Sequence, residues 1–486
     1  MFKSFPKYYW VGLLLTFIIL DTAYTFWQNY QLPLDGDMVT IVLPGEKCVP
    51  IMHDPFGWSV ITQNAVYAGT NRFFAHAAMT LYWKTMPFLL QLFTTPINSL
   101  YVASALFNTG VQVGVMLLLA AYIQLSVGAK RSRWGYWVGA ALLVPLFQTD
   151  GFSYQMGITN MAVTYTFFYG LPMMLLLVLL WPFYKAAYLQ QPFRVRPWQA
   201  MLLVLLMVVL AFNGPIVMAA VSVMLLGVAI YWLWRQAKPV PTADAPRTLA
   251  TGWLSNQALL LLFVFGVLDL YSLYIGRNEA EATHVNTLWE RYQMLPGGIL
   301  SEGFGQWGLR LLVLMVIVNT QLVRWLLPAS ADRNRVLLLM RLAGLFIVVF
   351  VALIPFGGYR VYRPNLIRGD VTIPATIALL LAFGVSTYYL LLHLGSRVRT
   401  SYLAVILVGA GYFMYADAVL QMPTNNQCER FALEQIQDSP EPVVRLYVYC
   451  NVLSWGLMSD YKASDINADM LQYWGVTDRR KLYYQQ

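Results

Sequence analysis

Long apolar runs alternate with short polar ones along most of this chain, at the length of about 20 residues that a helical membrane crossing needs. The runs lie near 8–27, 100–127, 134–149, 160–184, 198–213, 214–234, 253–275, 306–327, 335–356, 371–394 and 401–420. They predict an all-α polytopic membrane protein with about 11 transmembrane helices. Asn213-Gly214-Pro215 makes one connection a tight turn. The first two runs are separated by a long loop, about 28–98. Within it, Arg72 to Thr95 is apolar but broken by His76, Lys84 and Pro87. A crossing there would invert the charge pattern of every later loop, so it predicts an interfacial helix. Residues 1–420 form the membrane domain. Residues 421–486 are polar enough for a small appendage.

Charge gives the orientation. Short loops carry Lys130-Arg131-Arg133, Lys185-Arg194-Arg196, Arg235-Lys238-Arg247, Arg324-Arg333-Arg335 and Arg397-Arg399. Lys3 and Lys7 precede the first run, and only Asp244 and Asp332 oppose these bases. By the positive-inside rule these regions face the cytoplasm, which puts the N-terminus inside and the C-terminus outside. The other loops are longer and hold nearly all the carboxylates, so function is expected on the outer face. Composition agrees: 58% of residues are hydrophobic and 11% charged. Trp10, Trp27, Trp134, Trp181, Trp198, Trp253 and Trp325 sit at run ends, as an aromatic belt does. The net charge of +9 reflects inner-face anchoring and does not point to nucleic acid. The first run has no small-residue cleavage pattern and reads as a retained helix.

Cys48, Cys428 and Cys450 all fall outside in this topology. Cys428 and Cys450 are close enough in sequence to pair in an oxidising compartment. His53, His76, His284 and His393 are too scattered to suggest a metal site. Asp21, Asp269, Arg310 and Arg341 are among the few charges within runs, and no chain of carboxylates crosses the bilayer centre. That argues against a proton-coupled pump. No internal repeat is visible, which weakens an inverted-repeat transporter.

Four outer segments hold candidate chemistry. Leu34-Asp35-Gly36-Asp37 follows the first run, with Asp54 downstream. A carboxylate there can act as general base toward a hydroxyl, or hold a divalent cation such as Mg or Mn; the plainer reading is a solvated Asp-Gly turn. Arg72 opens the interfacial helix and can clamp phosphate or snorkel to headgroups. The loop from Gln148 to Asn160 includes Asp150, Tyr154 and Asn160, a mixture of amide, hydroxyl and aromatic groups suited to sugars. The loop from Pro355 to Asp370 carries Tyr359, Arg360, Arg363 and Arg368. Three arginines on the outer face run against the charge trend. A phosphate-bearing substrate explains them, and so does outer-leaflet headgroup binding.

The arrangement resembles the type-C glycosyltransferases, polytopic enzymes with a first helix leading into a long outer loop. Asp35 and Asp37 take the place of the acidic catalytic residue early in that loop, and the Arg72 helix resembles the interfacial one. The chain is similar, more loosely, to a bacterial branch of glucosyltransferase-like membrane proteins. Tyr154, Gly157, Asn160, Asn467 and Tyr473-Trp474-Gly475 carry that likeness, with Asp-Gly-Asp here for the branch's Asp-Asp and Asn71-Arg72 for its Gly-Arg. The resemblance implies sugar transfer from a polyprenyl-(di)phosphate-linked donor to a glycan, lipid or protein acceptor. It implies a bacterial inner membrane and a periplasmic site, with Asp37 or Asp35 catalytic and Arg360, Arg363 and Arg368 at the lipid phosphate. The competing readings are an O-antigen polymerase or ligase type of enzyme, and a lipid-linked sugar transporter or assembly subunit without catalysis.

Overall fold

The computed structural model describes residues 7–128, 134–149, 156–237, 249–281, 286–360, 365–419 and 425–485. Among them, nine helices are long and apolar enough to cross a membrane: Tyr9–Tyr30, Pro96–Ser126, Val163–Leu189, Pro215–Ala237, Asn256–Gly276, Trp307–Leu326, Ala331–Gly357, Ile373–His393 and Ser396–Val419. Trp134–Leu146 and Pro197–Ala211 are shorter apolar helices. All of them fall on the apolar runs of the sequence, and the protein is a helical, multi-pass membrane protein. The basic residues Lys3, Lys130, Arg131, Arg133, Lys238 and Arg247 lie outside the described residues, as do Asp244 and His284.

Helix starts follow local chemistry. Pro96, Pro197 and Pro215 open their helices, where a missing N–H costs nothing. The side chains of Thr95, Ser255 and Ser330 cap the next helices by accepting from the backbone N–H of Asn98, Ala258 and Arg333. Two helices form the centre. Pro96–Ser126 packs against the first helix, Trp134–Leu143, Leu171–Leu189 and Ile373–His393. Ile373–His393 is the most enclosed span, 78% buried, whereas Trp307–Leu326 is 17% buried and turns mostly outward. The two central helices meet at Gly384, where any Cβ would collide with Ile123. Asn319 donates to Ser386 Oγ at 3.1 Å and Thr387 Oγ1 at 2.9 Å, and Tyr402 donates to Asn319 Oδ1 at 2.8 Å. Such bonds between apolar helices contribute roughly 0.6 kcal/mol each and fix rotation.

The first loop holds three short helices, Met38–Val42, Val49–His53 and Trp58–Gln63, before the longer Phe73–Leu90. In the last, Ala75, Met79 and Trp83 are buried while Leu81 and Leu89 are exposed. A further helix, Leu288–Gly298, was not anticipated. Its residues are too polar for a crossing, but Thr287 and Glu290 form a capping box at its start.

The tail packs onto the rest of the molecule. It does not stand apart as an appendage: Ala432, Leu433, Ile436, Leu446 and Trp474 belong to the same buried apolar cluster as the central helices. The helical fold carries one small two-stranded sheet. Strands Val443–Leu446 and Leu482–Gln485 pair in parallel around the Asp465–Tyr473 helix. Their four-residue length, between polar turns, left no alternating pattern long enough to read as a strand.

Candidate functional site

Asp35 and Asp37 are two residues apart yet differently placed. Asp35 is buried. Its Oδ1 accepts from Thr164 Oγ1 at 2.7 Å and from the backbone N–H groups of Asp37 and Met38 at 3.1 and 3.0 Å. Its Oδ2 accepts from Thr164 N at 3.1 Å. Burial pushes its carboxyl up to about 6, against the pull of the Thr164 bonds. Asp35 thus ties the first loop to the start of the Val163–Leu189 helix, leaving little of its carboxylate for a substrate.

Asp37 is half-buried and faces a different set of groups. Its Oδ1 accepts the indole N–H of Trp455 at 2.8 Å. Burial raises its pKa; Trp455 opposes this, the Glu281 carboxylate adds to it, and Tyr165 and Arg368 oppose it. A cleft of about 310 Å³ opens beside these residues, lined by Asn160, Tyr165, Arg368, Gly369, Asp370 and Trp455, among others. The Tyr165 and Trp455 rings stack with centroids 6.1 Å apart. The Arg368 guanidinium lies over the Tyr165 ring at 4.6 Å. Its Nε donates to Asp370 Oδ1 at 2.8 Å, with a second bond to the other oxygen. Asp370 is buried, so this pair holds the guanidinium in place as well as satisfying the carboxylate.

Arg72 and Arg360 form a second group. Arg360 approaches Glu279 at 3.5 Å and donates to Glu281 at 3.0 Å, and Arg72 comes within 4.0 Å of Glu279. Glu279 also accepts the N–H of Gly69. These residues join the first loop to the segment after the Asn256–Gly276 helix. Asp54 is a local cap: it accepts from Trp58 N, Ser59 N, Ser59 Oγ and Tyr67. Burial works to raise its pKa, but these donors outweigh it and hold the carboxyl low. Tyr359 adjoins Arg360 and is not part of the cleft wall. Asp150, Tyr154 and Arg363 lie outside the described residues. Among the described residues no three His, Cys, Asp or Glu side chains converge on a position for a metal ion.

Of the expected site residues, the structure therefore gathers Asp37, Asn160 and Arg368. It adds Tyr165, Asp370 and Trp455, which the sequence did not single out. Tyr165 hides inside an apolar run. Trp455 sits in the tail amid Val452-Leu453-Ser454 and Gly456-Leu457-Met458, so nothing around it in the sequence marked it out.

The tail is held to this site from several sides. Cys428 and Cys450 are disulfide-bonded, with Cα atoms 6.2 Å apart. Between them, Glu429 is buried and accepts from Leu34 N at 2.8 Å, Tyr101 OH at 3.0 Å and Leu453 N at 3.0 Å. Burial pushes its carboxyl up to about 7. Arg430 lies over the rings of Tyr101 and Tyr30, at 3.8 and 4.6 Å. Asn426 donates to the carbonyls of Tyr30 and Leu32.

Compared with known proteins, the chain matches no family model and no curated sequence.

Proposed function

We propose that the protein is an integral membrane glycosyltransferase that uses a polyprenyl-(di)phosphate-linked sugar at the periplasmic face of a bacterial inner membrane. One observation carries the reading: a carboxylate with a raised pKa, Asp37, is bonded to Trp455, whose ring lines an aromatic-walled cleft together with the fixed guanidinium of Arg368. The acceptor hydroxyl oxygen forms a bond to the anomeric carbon as the bond from that carbon to the lipid phosphate breaks. The phosphate leaves with the bonding electrons, and Asp37 takes the hydroxyl proton. Arg368 offsets the charge developing on the phosphate. The raised pKa makes Asp37 a better base than a solvated carboxylate.

The topology that suits this reading has eleven crossings, counting the two shorter apolar helices, with the N-terminus inside. A cysteine placed at 397–400, the start of the Ser396–Val419 helix, is then refractory to an impermeant thiol reagent in spheroplasts; efficient labelling there reverses this orientation. The chemistry is tested with a synthetic polyprenyl-phosphate sugar and the protein in nanodiscs. Transfer is expected from the wild type and not from Asp37→Asn. Full activity in Asp35→Asn, Asp37→Asn and the double variant removes the first loop from the chemistry and the proposal with it.

A further inference from the structure

The tail does more at this site than close it. Gly36, between the two aspartates, has no room for a side chain: a Cβ there would lie 2.5 Å from Trp455 N and 2.6 Å from the Ser454 carbonyl carbon. The Asp-Gly-Asp turn and the Ser454-Trp455 backbone are therefore fitted to each other. At this contact the Trp455 indole is fixed by its edge, through the N–H bond to Asp37. One side of the ring is set against Tyr165, in a stack inclined by 18°. Yet the residue remains 55% exposed, in the wall of the cleft. Elsewhere in the tail Trp474 is fully buried and donates to the Trp83 carbonyl, as a core indole does. An indole held at its edge and open on its face, next to a carboxylate and the Asn160 amide, is suited to the C–H face of a pyranose ring.

We propose that Trp455 seats the acceptor of the transferase reaction and that this acceptor is a carbohydrate. The inference rests on the glycosyltransferase reading and narrows it, since a lipid or protein acceptor has no need of this platform. The indole has two separable tasks. Its face binds the acceptor sugar. Its N–H positions Asp37 and lowers that carboxylate's proton affinity.

The test uses the full-length protein in nanodiscs, a synthetic polyprenyl-phosphate sugar donor, and glucose, galactose, mannose and N-acetylglucosamine disaccharides as acceptor probes. Trp455→Leu removes the face, and Trp455→Phe keeps an aromatic face without the N–H. Saturation-transfer NMR reports acceptor binding whether or not transfer occurs. Trp455→Leu should raise the acceptor KM about tenfold or more, in line with the loss of roughly 1.4 kcal/mol from an aromatic contact, and leave the donor KM unchanged. Trp455→Phe should keep the acceptor KM within about threefold, lower kcat, and move the acid limb of the kcat/KM profile to higher pH. A merely structural Trp455 moves neither the pH limb nor the acceptor KM selectively. Intact mass without reductant and thermal melting verify that the tail stays docked. Trp455→Ile, of different shape, replaces Trp455→Leu if the latter unfolds. Wild-type transfer to the disaccharides with unaltered acceptor KM in the Leu or Ile variant overturns the platform and spares the glycosyltransferase reading. Transfer only to lipid or peptide acceptors also overturns it. Wild-type protein that neither binds the disaccharides nor transfers to any acceptor removes both.

Discussion

Two groups of arginines and carboxylates lie on the loops of this protein, and they are built to different ends. In the first, Arg72 and Arg360 enclose Glu279, and Arg360 also reaches Glu281. Positive and negative groups are matched there, and the side chains of Arg72, Arg360 and Glu279 are about nine-tenths buried. In the second, Arg368 is also paired, with Asp370, but its guanidinium spreads over Tyr165 in the wall of a cleft, and Asp37 stands nearby. The difference teaches that an arginine against the membrane charge trend has two physical explanations. It can neutralise buried carboxylates that join two loops, or it can present charge to a cavity. Charge placement in the sequence does not separate these; only the partners do.

The comparison is broken most directly at Asp37. Asp37→Asn should lower turnover by about 10²–10⁴ and leave the melting temperature nearly unchanged, whereas Glu281→Gln should retain most activity. Because the Glu281 carboxylate adds to the elevation of the Asp37 pKa, Glu281→Gln should move the acid limb of kcat/KM to lower pH. An unshifted limb would detach the two groups.

The next effect in size is at the arginines. Arg368→Lys keeps a positive charge beside Asp370 but loses the planar fork and the stacking on Tyr165. It should raise the donor KM roughly 10–100-fold. Arg360→Lys should change the donor KM by less than about threefold. Equal effects from the two substitutions would erase the distinction between the groups.

Asp35 offers a smaller, structural contrast with Asp37. Asp35→Asn sets an amide N–H₂ where a carboxylate oxygen now accepts a bond from Thr164. It should cost about 1–3 kcal/mol of stability by leaving buried donors opposed, read as lower thermal stability with the acceptor KM of the folded fraction intact. A dead but fully stable Asp35→Asn would exchange the roles of the two aspartates.

The smallest effect is one of pH on the tail. The Glu429 carboxyl is raised to about 7 in the folded protein, with burial the main cause. The folded state therefore holds this proton more tightly than the unfolded chain does. The resulting stabilisation is full below the unfolded pKa, near 4.3, and is lost as pH rises through about 7. Between pH 5 and 8 the wild type should lose a few degrees of melting temperature relative to Glu429→Gln. Parallel pH profiles for the two proteins would show that Glu429 ionises no differently on folding.

The membrane part was legible because its physics is one-dimensional. A run of apolar residues long enough for the bilayer dictates a helix, so the 335–356 run and the observed Ala331–Gly357 nearly coincide. Helix starts shifted by a few residues, to capping side chains such as Ser330. The site was legible in pieces. Asp37 and Arg368 stood out as charges on loops that the basic-residue pattern assigns to the outer face. Their grouping did not, because it depends on contacts across hundreds of residues: Asp37 meets Trp455 418 positions later in the chain. Tyr165 was masked by its apolar neighbours. Asp35 and Asp37 looked interchangeable in sequence, and the Thr164 hydroxyl and N–H that separate them lie 129 positions away from Asp35.

The Gly36–Trp455 contact also bears on the order of events during synthesis. Translation delivers Asp37 early and Trp455 late, so every intervening helix must be inserted before the two can meet. A chain stalled partway carries Asp37 but lacks the indole that bonds it. The proposed site is thus silent on a nascent chain and becomes complete only once insertion is finished.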